Sequence, residues 1–436
     1  TKGCLSVMRP WQRFPAIEYA KPSALHEEIA RRSNVSIATA RELLLRAGDR
    51  VRGTLGLESV PLSFNADRLQ FQKVAGLLVL ASGIELEFAP KFLGSAPGWR
   101  EDFFLLAMLS HHGRLLDNEG LKSSARANSD LASLIGRSLI EMYWKNQRRS
   151  LRTYRRLHHE GFALEGDFDP EDLSVPSEEG FPQSVTSFTR ENPYNAIIRA
   201  AAAGLAPVVP DVETRLRLER LAQHLPHQPR PLRLQDRRLP SRSKAWQPTF
   251  DLSLDILRGL GGAYDPKNAL APGYVMQTWQ VWEQLISLSL RNAFSPKNVQ
   301  LQSSNKLGTR TQDSVIRALN VFPDAIVSIA GTAGVRRIIV DAKYKGHVDR
   351  SSKSISNADI YESLAFARAT GISEVALVYP RPVEGALTSS DEVGYAAEFA
   401  GAVADGVQIR AIELGVCGIS GRRGLKRFAD ALAKTL

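Results

Sequence analysis

Asp324, Asp341 and Lys343 are the residues of this chain whose types and spacing could do chemistry. Ile338-Ile339-Val340 is a β-branched apolar run that reads as a buried strand, with Asp341 and Lys343 at its end. Side chains alternate faces along a strand, so Asp341 and Lys343 point the same way while Ala342 points into the core. Asp324 follows Pro323 and opens the preceding strand, Ala325-Ile326-Val327-Ser328-Ile329. Gly331-Thr332-Ala333-Gly334 is the turn that folds the two strands into a hairpin. The hairpin brings the second carboxylate alongside the first. Mg2+ takes one or two carboxylates and leaves its other positions to water and phosphate oxygens, and a neighbouring lysine can orient or deprotonate the attacking water. Asp324 and Asp341 would hold the metal with the Ala342 carbonyl as an extra ligand. Lys343 would act on the water, and Lys345, on the same strand face, would stabilise charge developing on the phosphate. Such a set hydrolyses phosphodiesters. Without the rest of the chain, the same residues would equally describe a surface hairpin with a solvated Asp/Lys pair.

The elements that must position these residues read as α/β. Two helices, 252–259 and 273–292, precede the hairpin, the second with Trp279, Trp282, Leu285, Ile286 and Ser289 on its inward stripe and Glu283 beside it. A helix over 358–370, strands over 374–380 and 407–414, and a closing helix over 425–436 follow. The expectation is a mixed sheet flanked by helices over 250–436, preceded by a mixed α+β region over 1–130, a helical middle region over 131–225 and a Pro/Arg-rich linker over 226–249. Within the first region, Ser23 is the expected N-cap of a helix. A second helix follows the turn at Asn34, in the outline of a helix-turn-helix or of a plain helix pair. Residues 74–80 and 84–88 around Gly83 read as a hairpin, and His111-His112 as a helix end.

Residues 134–159 read as one long helix on which Lys145, Arg148, Arg149, Arg152, Arg155 and Arg156 recur at steps of three and four. Almost no carboxylates intervene, so the stripe is expected to face DNA phosphates or an acidic partner. The other reading packs it on the chain's own acidic segment, 165–179. The formal charge is +10, from 56 basic and 46 acidic residues, which also favours a polyanionic partner. No apolar run is long enough to span a membrane, no signal-peptide pattern is read, and Cys4 and Cys417 are the only cysteines. A disulfide framework and a cysteine zinc site are therefore not expected, and a reducing cytoplasm is. There is no GxxxxGK[ST] phosphate loop, so no nucleotide is expected on this chain.

Pro323-Asp324 and Asp341-Ala342-Lys343 resemble the core of the PD-(D/E)XK nucleases. Val340-Asp341-Ala342-Lys343-Tyr344-Lys345 and Asn357-Ala358-Asp359-Ile360-Tyr361-Glu362-Ser363-Leu364-Ala365-Phe366-Ala367 resemble, more narrowly, the McrC-type subunit of modification-dependent restriction systems. Trp279-Gln280-Val281-Trp282-Glu283, Glu191-Asn192-Pro193-Tyr194-Asn195 and Ile84-Glu85-Leu86-Glu87-Phe88-Ala89-Pro90-Lys91-Phe92 resemble other segments of that family in the same order. The resemblance implies a C-terminal PD-(D/E)XK domain and a DNA endonuclease using Mg2+, with Mn2+ as substitute. It also implies a GTP-driven AAA+ motor held by the N-terminal half, and dimerisation of the complex to cut both strands. It makes Glu283 a candidate further acidic ligand, where the residue alone reads as a helix-surface Glu. Glu362 and Phe366 depart from the family's usual Gln and Tyr. Two other readings stand beside this one: an adaptor that binds DNA and stimulates the motor without cutting, and a repair nuclease or helix-turn-helix regulator acting alone.

Overall fold

A computed structural model describes residues 12–20, 23–65, 68–81, 83–112, 130–165, 167, 177–227, 234–258, 274–312, 315–331, 334–344, 354–383 and 385–436. The chain divides into two compact units, one made of residues 1–134 and 274–436 and the other of 135–273. The segments expected as separate first and last regions thus fall largely in one unit, and the expected boundary at 226–249 lies inside the other.

The first unit opens with β1 (Gln12–Ile17), α1 (Leu25–Ser33) and α2 (Ile37–Leu55). Ser23 does not cap α1. Ala24 takes that place without a side-chain bond, whereas the Ser36 hydroxyl accepts from Thr39 N at the start of α2. Strands β2 (Leu62–Asn65) and β3 (Arg68–Phe71) pair with each other, and β4 (Val74–Ala81) and β5 (Ile84–Ala89) form the expected hairpin at Gly83, ahead of α3 (Trp99–His112). Every residue of β5 is buried, including Glu85 and Glu87. Their carboxylates face Arg13 and Arg100, and Glu87 also accepts from Leu131 N, because a carboxylate out of water needs charge and donors around it.

The second unit holds most of α4 (Leu131–Lys145), then the antiparallel pair β6 (Thr153–Gly161) and β7 (Phe181–Thr189), then α5 (Pro193–Leu205), α6 (Val212–His224) and α7 (Gln247–Arg258). Asn192 caps α5 ahead of Pro193, and Asp211 caps α6 through Thr214 N. The helix expected over 134–159 ends at Lys145. Beyond it, Thr153, Arg155 and Leu157 are partly buried while Tyr154, Arg156 and His158 are exposed, a period of two, and pairing with β7 makes this segment a strand. The expected linker is folded at its far end: Trp246 is buried and its Nε1 donates to the Arg149 carbonyl at 2.7 Å.

The chain returns to the first unit with β8 (Tyr274–Gln277) and α8 (Thr278–Phe294). The helix expected from 273 therefore starts five residues later, because 274–277 pair with β4 and complete the sheet β1-β5-β4-β8. Trp282 is fully buried, but Trp279, expected on the same stripe, is 41% exposed. Gly76 takes the close approach between β4 and β8. With φ +137°, its missing Cβ would lie 1.9 Å from the Tyr274 carbonyl oxygen. Gly76→Ala is expected to cost roughly 2–4 kcal/mol from backbone strain and overpacking, read as a lower urea midpoint with unchanged slope.

After β9 (Val299–Leu301) and the hairpin β10 (Asn305–Gln312) and β11 (Val315–Val321) come β12 (Ala325–Gly331), β13 (Gly334–Ala342), α9 (Asn357–Thr370), β14 (Glu374–Pro380), β15 (Ala396–Ala404), β16 (Val407–Leu414) and α10 (Gly424–Thr435). Six of these strands form a mixed sheet in the order β15-β16-β14-β13-β12-β9, with β13, β14 and β16 parallel. Alternation along β13 sends Ile339 to the face where Phe366, Leu377 and Tyr379 pack, under α9. On α8 and α10 the rings of Trp282 and Phe428 meet edge to face at 6.0 Å. The expected mixed sheet flanked by helices is the observed one. Among the described residues no helix is long and apolar enough to cross a membrane.

Candidate active site

The β12/β13 register places the site. Ala325 pairs with Val340, so Asp324, one residue before β12, falls opposite Asp341. Ala342 N donates to Asp324 Oδ2 at 2.8 Å and fixes that carboxylate at the end of the sheet. Asp341 is 4% exposed. Lys343, on the same face, sets its Nζ 2.6 Å from Asp341 Oδ2, but off the direction of a hydrogen bond, so that buried oxygen has a charge beside it and no directed donor. The backbone N of Lys343 donates to the Val378 carbonyl at 2.9 Å.

Two helices close on this point. Ser356 caps α9 by accepting from Asp359 N, and the helical spacing of three brings Asp359 and Glu362 to one side. Lys343 Nζ donates to Glu362 Oε2 at 2.6 Å and lies 3.9 Å from Asp359 Oδ1. Tyr379 Oη donates to Asp359 Oδ2 at 3.0 Å. The two departures from the family pattern thus have local roles: Glu362 is an ion-pair partner of Lys343, and Phe366 is buried in the apolar layer under α9, where a ring without a hydroxyl packs. From α8, the Glu283 carboxylate accepts from Gln302 Nε2.

Charge is unbalanced here. Five carboxylates (Glu283, Asp324, Asp341, Asp359 and Glu362) interact among themselves or with the ammonium of Lys343. Burial pushes the Asp324 carboxyl up to about 6, against the bond from Ala342 N, with the charges of Glu283 and Glu362 adding to the rise. Burial likewise lifts Asp341 to about 6, opposed by Lys343 and reinforced by Asp324 and Glu362. Glu283 is raised by burial, opposed by Gln302 and reinforced by Asp341. Burial alone would lower Lys343, but the charge of Asp341 at contact distance and the bond to Glu362 outweigh it and hold the ammonium well above its usual range.

Such an arrangement fits a divalent cation. A buried, undirected carboxylate oxygen, a second carboxylate beside it and surplus negative charge form a hard oxygen donor set, in which Asp324 and Asp341 would hold the cation, with the Ala342 carbonyl as the expected extra ligand. Among the described residues no three His, Cys, Asp or Glu side chains close on one point, so Glu283 does not complete a cage. Mg2+ suits two carboxylates, since it keeps several waters. Lys345 lies outside the described residues.

The structure does not gather the six expected cations into one stripe. Lys145 ends α4, Arg148 and Arg149 are exposed in the turn after it, and Arg152 precedes β6. Arg155 and Arg156 are neighbours on a strand and so face opposite ways. Arg155 pairs with Glu191, and Arg156 with Asp167 of the acidic segment and with Ser184. All six belong to the second unit, while the carboxylates belong to the first. Sequence reasoning missed Asp359 as a neighbour of Lys343. The N-cap at Ser356, three residues before it, was the available signal.

Residues 69–380 match the family described as McrBC 5-methylcytosine restriction system component. No curated protein matches. Among solved structures, the chain is similar to one in a refined half-complex from a tetradecameric assembly of Thermococcus gammatolerans McrB AAA+ hexamers with bound McrC. The identity is 14% over 98% of this chain and 100% of that one, with a TM-score of 0.69, which is a likeness of fold. A chain of the cryo-EM structure of the Thermococcus gammatolerans McrBC complex also matches, at 13% identity over 63% of this chain and 85% of that one, with a TM-score of 0.47.

Proposed function

Since the chain belongs to the family of McrBC 5-methylcytosine restriction system components, we propose that it is the Mg2+-dependent DNA endonuclease subunit of such a system. The observation that carries this reading is Asp324 set opposite buried Asp341 with Lys343 in contact, at the end of the six-stranded sheet. A cation on Asp324, Asp341 and the Ala342 carbonyl would supply positive charge for the phosphate and lower the pKa of a bound water. This chain's own part is the rest. The two aspartates hold and orient, and Ala342 N keeps Asp324 in place.

Without a bound cation, Asp341 and Glu362 hold Lys343 as an ammonium, which suits it to orient the water and neutralise developing charge. Glu362 and Asp341 hold its Nζ in register for that task. Arg148, Arg149 and Arg152, exposed in the second unit, are candidates for sequence-blind phosphate contacts, which salt would weaken. The similar Thermococcus gammatolerans chain is bound to McrB AAA+ hexamers, and a motor of that kind is the proposed partner here. The chain's sequence has no phosphate loop, so nucleotide hydrolysis would be the partner's work.

The test is cleavage of methylated and unmethylated plasmid with Mg2+, by the chain alone and with its AAA+ partner plus GTP or ATP. Cutting that requires partner and nucleotide is the expected result. Cutting by the chain alone would replace the motor-gated reading with an autonomous nuclease. Stimulated nucleotide hydrolysis without cutting would replace it with an adaptor.

A further inference from the structure

Within the first unit, a buried polar cluster outside the carboxylate site reaches it through the backbone. Glu18, just past β1, and Lys91, two residues past β5, are 1% and 6% exposed. Lys91 Nζ donates to the backbone carbonyl of Tyr344 and lies 4.3 Å from the centroid of its ring. Tyr344 Oη donates to Glu18 Oε2, Thr278 Oγ1 donates to Glu18 Oε1 at 2.6 Å, and Lys91 N lies 3.4 Å from Glu18 Oε2. One carboxylate thus holds the residue after Lys343 and also the first residue of α8, the helix that carries Glu283.

The strand ladder does not do this. Strand β13 ends at Ala342, and Lys343 N makes the last bond to β14, on a Val378 carbonyl that also accepts from Trp282 Nε1 at 3.0 Å. Tyr344 lies past that bond, and its carbonyl and hydroxyl are held by Lys91 and Glu18. A carboxyl and a lysine taken out of water are poor evidence of stability, since apolar side chains of similar volume pack as well or better. What an apolar pair could not supply is a directed bond to the Tyr344 carbonyl.

We propose that Glu18 and Lys91 are positioning residues of the nuclease site. They fix the backbone at Tyr344 and so hold Lys343 against Asp341. The inference rests on the nuclease reading above, and it makes the N-terminal sheet part of the site's construction. It follows that the site assembles only when the ends of β1 and β5 are seated.

Lys91→Met in the full-length chain, with its partner and nucleotide, is the test. Amide hydrogen exchange at Lys343 is expected to quicken about tenfold by local opening, while β4 and β5 keep their protection. Single-turnover cleavage is expected to fall about 10- to 100-fold with DNA affinity unchanged, the size of effect that slight misplacement of a catalytic group produces. Lys91→Arg, which keeps a charged donor, should recover part of both. Tyr344→Phe, which removes one hydroxyl and keeps the ring, should show a smaller change of the same kind, and it carries the test if Lys91→Met does not fold. Unchanged exchange at Lys343, or protection lost equally across β4, β5 and Lys343, would overturn the proposal. If the wild-type chain never cuts DNA, the nuclease reading fails, and the exchange measurement, which needs no cleavage, still decides whether the pair fixes Lys343.

Discussion

Asp341→Asn is expected to abolish DNA cleavage while leaving the fold and DNA binding intact. Removing one preorganised electrostatic group from an active site typically costs on the order of 10²–10³ in rate. In the proposed mechanism Asp341 contributes twice, as a metal ligand and as the partner that holds Lys343, so the loss should reach or exceed the upper figure. The side chain is buried, and Asn has nearly its volume, so packing is conserved. Lys343→Met should lose about 10²–10³ for its own charge. Single-turnover conversion of supercoiled plasmid to nicked and linear forms measures both. A loss of less than about tenfold in either variant would remove that residue from the mechanism.

The same substitution is expected to stabilise the protein. Burial among other carboxylates raises Asp341 and Asp324 in the folded chain to about 6, against a usual aspartate value near 4, with Lys343 opposing the rise. Carboxyls raised in this way contribute stability that is fully present below their unfolded pKa and is lost as pH rises through the folded one. The loss therefore falls between about pH 4 and pH 6, and above pH 6 the metal-free site destabilises the fold. A shift of about two units corresponds to roughly 2–3 kcal/mol at most, shared within the coupled pair. Asp341→Asn should accordingly melt a few degrees above wild type at pH 8 and level with it near pH 4.

Among the described residues Asp341 interacts with Asp324, Lys343, Glu283 on α8, Glu362 on α9 and Tyr379 on β14, so the variant removes one negative charge from a set that stays in place. Mg2+ should raise the melting temperature of the wild type at pH 8, by the linkage that ties a ligand of the folded state to its stability, and should leave the variant unmoved. An equal Mg2+ shift in both proteins would place the cation elsewhere. A variant less stable than wild type at pH 8 would mean that the Lys343 contact outweighs the repulsion.

The legible parts of the chain were those with strong local signals. The β-branched runs 325–329, 338–340, 374–380 and 407–414 could be buried only as strands, and all four are strands of one sheet. The spacing of Asp341 and Lys343 required one face, and the turn at Gly331–Gly334 set the register that brings Asp324 opposite Asp341. The basic segment misled because charges at steps of three and four satisfy a helix template. The pairing of Tyr154 with Phe188 and of Arg156 with Thr186 is set by residues some thirty positions away. Tertiary pairing overrode local period there, as it did at 274–277, which reads as a continuation of α8 until β4 takes it as a neighbour.

By itself, the sequence determined the chemistry on offer, the hairpin that presents it and the mixed sheet behind it, because each follows from the period and type of adjacent residues. Only the tertiary structure decided that Glu362 and Asp359 close on Lys343, that Glu283 comes near Asp324 and Asp341, and that Glu18 and Lys91 reach Tyr344 across 326 and 253 positions of chain. Those relations depend on which surfaces are buried against each other. Burial and the charges it brings together shift Asp324, Asp341 and Lys343 from their usual ranges, and the fold decided both.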